Sequence, residues 1–138
     1  MIVVDEYLAV RVLGGDWPDA LPDDEIALPA TRHWRLLQRV HAPGTGQLSR
    51  LLSALPGGDI GVVRWPHPEV LQVIDSRPLL DEAAAIAARY GGGLLIAETL
   101  AAGLNHGHQL WFGNSANVGR VTNRAAEELG IDIRVVAT

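Results

Sequence analysis

The stretch Gly91–Gly119, GGGLLIAETLAAGLNHGHQLWFGNSANVG, decides how the chain is read. It runs as turn, helix, turn, strand, turn. Leu94, Leu95, Ala97, Ala101 and Leu104 recur near helical spacing. Asn105 and Gly107 stop that helix. Gln109 to Phe112 is a short strand run, and Gly113, Asn114, Ser115, Ala116 and Asn117 then replace apolar residues with small polar ones. A polar loop directly beyond a buried strand is where an α/β protein usually places its site. The stretch carries a single acid, Glu98.

The same alternation extends outward in both directions. Ile2 to Asp5 reads as a buried strand ending in a carboxylate, and Tyr7 to Leu13 as a helix stopped by Gly14-Gly15. Asp16 to Pro29 reads as a loop with five acids, solvated as charge runs usually are. Thr31 to Val40 and Gln47 to Leu55 have helical apolar stripes, Trp34, Leu37 and Val40 in the first. His41-Ala42-Pro43 is a short extended piece between them. Glu69 to Ile74 reads as a strand and Leu79 to Tyr90 as an alanine-rich helix. Val121 to Leu129 is a last helix, stopped by Gly130, and Ile131 to Val136 a closing strand. Strands alternating with helices predict a mostly parallel sheet covered on both faces. One domain, 1–138, is expected from the length.

Composition narrows the function classes. The 138 residues contain no cysteine, which excludes a disulfide framework and a thiolate metal site. No apolar run reaches the roughly 18 residues of a membrane span, and Met1 to Asp5 has no basic leader, so a cytoplasmic protein with no membrane partner is expected. A net charge of -5 argues against a broad nucleic-acid-binding surface, though a local basic patch remains compatible with it. The eleven basic residues are all arginine, so neither glycine-rich turn, Pro43–Gly46 or Tyr90–Gly93, can be a phosphate loop that needs lysine. His106 and His108 have no third ligand at metal spacing and read as a structural loop. No nucleophile elbow accompanies the scattered Ser, His and Asp residues. Asp5 is the functional candidate, against the alternative of a helix N-cap. Glu6, on a continuing strand pleat, would point away from it.

Several segments in order resemble a PIN domain, and within that family the VapC toxins of toxin–antitoxin pairs. They are Ile2-Val3-Val4-Asp5, Val40-His41-Ala42-Pro43, Val73-Ile74-Asp75, Leu94-Leu95-Ile96-Ala97 and Leu129-Gly130-Ile131. The resemblance covers nearly the whole chain. It implies a three-layer α/β/α fold around a five-stranded parallel sheet of order 3-2-1-4-5. It also implies three or four acids holding Mg or Mn for RNA cleavage. The first acid falls on Asp5. The second falls near Gln47 to Arg50, best on Ser49; the third falls on Gly93 and the fourth on Asn114.

Three of the four positions thus lack an acid. At about 1.4 kcal/mol for each missing carboxylate, the loss is roughly a thousandfold in metal affinity. Asp5 is left as the remnant catalytic and metal-binding residue, with Asn114 (and Asn117 beside it) offering neutral oxygen. Glu98, about 140° round its helix from Gly93, faces elsewhere. Asp75 belongs to an edge strand.

The expected function is a VapC-like domain whose nuclease site has decayed, binding no Mg or Mn tightly and acting on RNA or an antitoxin-like protein partner. A weak Mg- or Mn-dependent endoribonuclease and an unrelated small-molecule-binding α/β domain are the alternatives. A homodimer is expected, with Trp65-Pro66-His67-Pro68 as the exposed aromatic segment.

Overall fold

A computed structural model describes residues 1–136; Ala137 and Thr138 of the expected single domain lie outside it. Five strands form one all-parallel sheet of order β3-β2-β1-β4-β5, flanked by helices on both faces. This is the expected three-layer arrangement and strand order. The strands are β1 (Ile2–Val4), β2 (Ile26–Pro29), β3 (Gln72–Ile74), β4 (Gln109–Phe112) and β5 (Asp132–Val135). The helices are α1 (Glu6–Leu13), α2 (Ala30–His41), α3 (Gln47–Ser53), α4 (Gly61–Arg64), α5 (Leu80–Tyr90), α6 (Leu94–Asn105) and α7 (Gly119–Leu129). Among the described residues no helix is long and apolar enough to cross a membrane.

The central strand β1 is buried on both faces. Ile2 and Val4 pack with Leu8, Leu28, Leu36 and Leu52 on one side of the sheet. Val3 packs with Leu100, Leu110 and Ala125 on the other. Three β-branched residues suit this position, where side chains alternate between two covered faces. The second core is built largely from alanines of α5, α6 and α7, whose small side chains let helices lie close to the sheet and to each other. Gly103 on α6 allows a close approach there: a Cβ would stand 3.0 Å from Leu110 Cδ2.

Two expectations needed correction in this frame. The loop assigned to Asp16–Pro29 contains β2, buried at all four residues. Its signal was hidden by the acids that precede it, by its length and by the terminal Pro29, a residue usually unfavourable in central strands. Pro29 is tolerated because it is the last residue of β2 and leads into α2. Trp34, expected on the inward stripe of α2, is 62% exposed, while Leu36 and Arg32 are the buried residues of that helix. Trp65 is 84% exposed, as its flanking prolines suggested.

Candidate functional site

The crevice beyond the carboxyl ends of β1 and β4 is organised by Asp5. The chain turns into α1 immediately after β1, so Asp5 is both the end of the strand and the N-cap of the helix. Its Oδ1 accepts the Leu8 N–H at 2.9 Å, the ordinary capping bond. The same oxygen accepts the Gly113 N–H, also at 2.9 Å, from the end of β4. That second bond needs a glycine: a Cβ on residue 113 would lie 2.9 Å from Tyr7 Cβ and 3.0 Å from Leu8 N. Asp5 therefore caps α1, and the same carboxylate oxygen also ties that helix to the end of β4.

The other oxygen, Oδ2, accepts a hydrogen bond from Asn117 Nδ2 at 3.1 Å. Asp5 is 1% exposed, and burial pushes its carboxyl up to about 6, with the neighbouring Glu6 charge adding to the rise and the bonds from Leu8, Gly113 and Asn117 opposing it.

Glu6 is the residue that sequence reasoning misplaced. A continued strand would have turned it away from Asp5. The helix that starts at Glu6 instead brings it into the same crevice, fully buried. The Asn117 amide nitrogen donates to Glu6 Oε1 as well as to Asp5 Oδ2. Arg32 Nη1 donates to Glu6 Oε1 at 2.9 Å, and Arg35 Nη1 stands 3.5 Å from Oε2. Arg35 Nη1 also donates to Asn117 Oδ1 at 3.1 Å. Arg32 is 1% exposed, held by its Nε donating to Thr99 Oγ1 at 2.7 Å and by Phe112, whose ring centroid is 5.5 Å from its guanidinium carbon. Glu6 thus meets two guanidiniums directly, and one amide links it to Asp5.

The remaining positions have partners or surroundings of their own. Asn114 follows β4 on the same edge of the sheet, and β4 is the direct neighbour of β1. Its Oδ1 accepts the Ala116 N–H and its Nδ2 donates to Gln47 Oε1 at 2.9 Å. Asn117, three residues on, is the amide that reaches Asp5. Within Gln47 to Arg50, Gln47 is the side chain that meets the crevice. Ser49 Oγ accepts the Gly44 N–H at 2.9 Å instead. Gly93 is the N-cap of α6, with nothing within 4 Å of where a Cβ would stand. Glu98 is buried, and its Oε1 accepts both the N–H and the hydroxyl of Thr31 at 3.0 Å. Asp75 closes the edge strand β3 and pairs with Arg77 at 2.7 Å.

The donor set does not fit a hard divalent cation. Such an ion takes oxygen ligands, usually with one or two carboxylates free to bind it. Here the lone pairs of Asp5 and Glu6 point at backbone N–H groups, an amide and two guanidiniums. A cation entering would have to displace Asn117 and oppose Arg32 and Arg35. Among the described residues no cluster of three or more His, Cys, Asp or Glu is placed to hold a metal ion.

Asn117 and the arginine pair left no sequence signal, because an asparagine in a polar loop and arginines on a helix are ordinary. Only their contacts in the folded chain, spanning from 26 to 112 residues, reveal them. Comparison of the chain with protein-family models, with curated proteins and with solved structures finds no significant match.

Proposed function

We propose that this is a PIN-like domain in which an internal charge network stands in place of a metal site, and that it works by binding a protein partner rather than by cutting RNA. The observation that carries the reading is Asn117 donating to both Asp5 and Glu6 while Arg32 and Arg35 neutralise Glu6. Phosphodiester hydrolysis by a metal site needs negative charge to hold the ion that polarises phosphate and water. With Glu6 matched by two guanidiniums and the Asp5 oxygens taken up by two backbone N–H groups and the Asn117 amide, this crevice offers little free negative charge.

A protein partner is favoured over RNA by the overall charge of -5 and by the exposed Trp34 and Trp65, since aromatic residues anchor protein interfaces. A second copy of the chain, meeting it through Trp65, is the homodimer this reading includes. The test is a manganese titration by calorimetry together with incubation of the protein with structured and single-stranded RNA and Mn²⁺. No heat and intact RNA are expected. Metal-dependent cleavage abolished by Asp5→Ala would establish the weak ribonuclease instead.

A further inference from the structure

β5 closes one side of the sheet, and among the described residues no strand pairs with its outer edge. We propose that this edge joins β5 of a second copy of the chain, antiparallel about a twofold axis at Ile133, with Asp132 of each copy opposite Arg134 of the other. The inference goes beyond the reading above, because it does not depend on the state of the Asp5 crevice. The contact is also separate from Trp65, which precedes β3 at the opposite edge of the sheet.

The backbone fixes which groups face outward. The Asp132 N–H donates to His108 O at 2.9 Å and the Val136 N–H to Phe112 O at 2.8 Å, both toward β4. Alternate residues of a strand face opposite edges, so Ile133 and Val135 turn their N–H and C=O groups away from β4. Two identical edges related by a twofold axis in a closed dimer run antiparallel. The hydrogen-bonded positions can then combine Ile133 and Val135 in different registers. Ile133 opposite Val135 of the copy sets Arg134 against Arg134, and like charges directly opposite are destabilising. Val135 opposite Val135 sets Arg134 against Val136 and gives the arginine no charge to meet. Ile133 opposite Ile133 sets Asp132 against Arg134 on both sides of the axis. Only this register matches the charges.

The side chains suit that register. Asp132 and Arg134 lie level with Gln109 and Trp111 of β4, on one face of the sheet. Arg134 Nε donates to Asp132 Oδ2 at 2.7 Å, and the two side chains are 57% and 51% exposed. Among the described residues Asp132 Oδ1 and the Nη groups of Arg134 take no part in that bond, so each charge has atoms left for its opposite in the copy. The two residues would meet at a non-hydrogen-bonded pair, where antiparallel strands bring side chains closest. On the other face the exposed Val135 would come opposite Ile131 of the copy. Edges kept single are commonly blunted by lysine, proline or a bulge. β5 reads Asp132-Ile133-Arg134-Val135, with no lysine or proline, and its acid and base cancel. The Ile131 N–H is already given to Ala126 O at 2.8 Å, which ends the new ladder there. The contact is therefore short, in the class of weak, reversible associations.

The test is sedimentation of the full chain from about 10 micromolar to about 1 millimolar, for the parent and for Trp65→Ser. A reversible monomer–dimer equilibrium is expected in both. Asp132→Arg and Arg134→Asp each set like charges opposite one another and should weaken it about tenfold. Mixed in equal amounts, these two variants should pair with each other as tightly as the parent pairs with itself, because every cross-strand position then holds opposite charges. Both exchanges in one chain should restore self-association in the same way. A monomeric parent, single variants that dimerise like the parent, or a mixture no tighter than its components would each overturn the proposal. Loss of association in Trp65→Ser would place the contact at Trp65 and overturn it too. None of these results touches the metal-free crevice. Manganese binding is what refutes that reading, and it leaves the β5 contact standing.

Discussion

Asp5 should leave a signature in the pH dependence of stability. Its carboxyl rises from the ordinary 3.8 to about 6 on folding, chiefly because it is buried. The folded state therefore binds the proton more tightly than the unfolded chain. The stability tied to this group is fully present below about 4 and is lost as pH rises through about 6. At about 1.4 kcal/mol for each tenfold difference, the loss between those limits is roughly 3 kcal/mol. Asp5→Asn removes the titration while keeping an oxygen to accept from Leu8 and Gly113. Its new amide, however, faces the Asn117 amide and forces a rearrangement there, so the absolute stability of the variant changes as well. The slope is the informative quantity. Urea unfolding of both proteins from pH 4 to pH 8, plotted as a difference, should fall by roughly 3 kcal/mol and flatten above about pH 7. A difference that is level across that range would refute the assignment of Asp5 as a desolvated acid held by Asn117.

Other outcomes follow from the same geometry. Gly113→Ala should destabilise by about 2 kcal/mol or more, because the added Cβ meets Tyr7 and the Leu8 backbone; thermal unfolding measures it. Arg32→Met should cost about 3–5 kcal/mol by leaving Glu6 buried without its main partner, and adding Glu6→Gln should recover much of that loss. Asn117→Asp should lower stability without metal, since it sets a third carboxylate beside Asp5 and Glu6, and should make the melting temperature rise with added Mn²⁺. Gly93→Asp is free of steric conflict and supplies an N-cap to α6, so on its own it should fold with unchanged or slightly raised stability.

How much of this was legible in the sequence depends on the range of the physics involved. β1, β4 and α6 could be read closely, because their signals are local: β-branched runs for strands, helical spacing for α6, and glycine at its start. The order of the sheet came with the family resemblance rather than from the residues. β2 was missed because tertiary burial, not composition, makes those four residues a strand. Asp5 stood out by ending an apolar run. Glu6 was misjudged because one dihedral change, from strand to helix, reverses where the next side chain points. Asn117, Arg32 and Arg35 could not be found by pattern at all. Their role depends on which distant groups they meet, and no local spacing encodes that.

The position of β1 in the middle of the sheet has a consequence for how the chain is made. Its partner on one side, β2, is reached within the first thirty residues, but its partner on the other side, β4, begins at Gln109. The bonds from Gly113 and Asn117 to Asp5 span 108 and 112 residues. A nascent chain emerging from the ribosome can thus pair β3, β2 and β1, yet it carries a bare central strand edge and two half-compensated buried acids until β4, Gly113 and Asn117 have been made. Such long-range closure slows folding and exposes a pairing edge while it waits. Truncations ending before Gln109 should therefore aggregate rather than persist as a stable half.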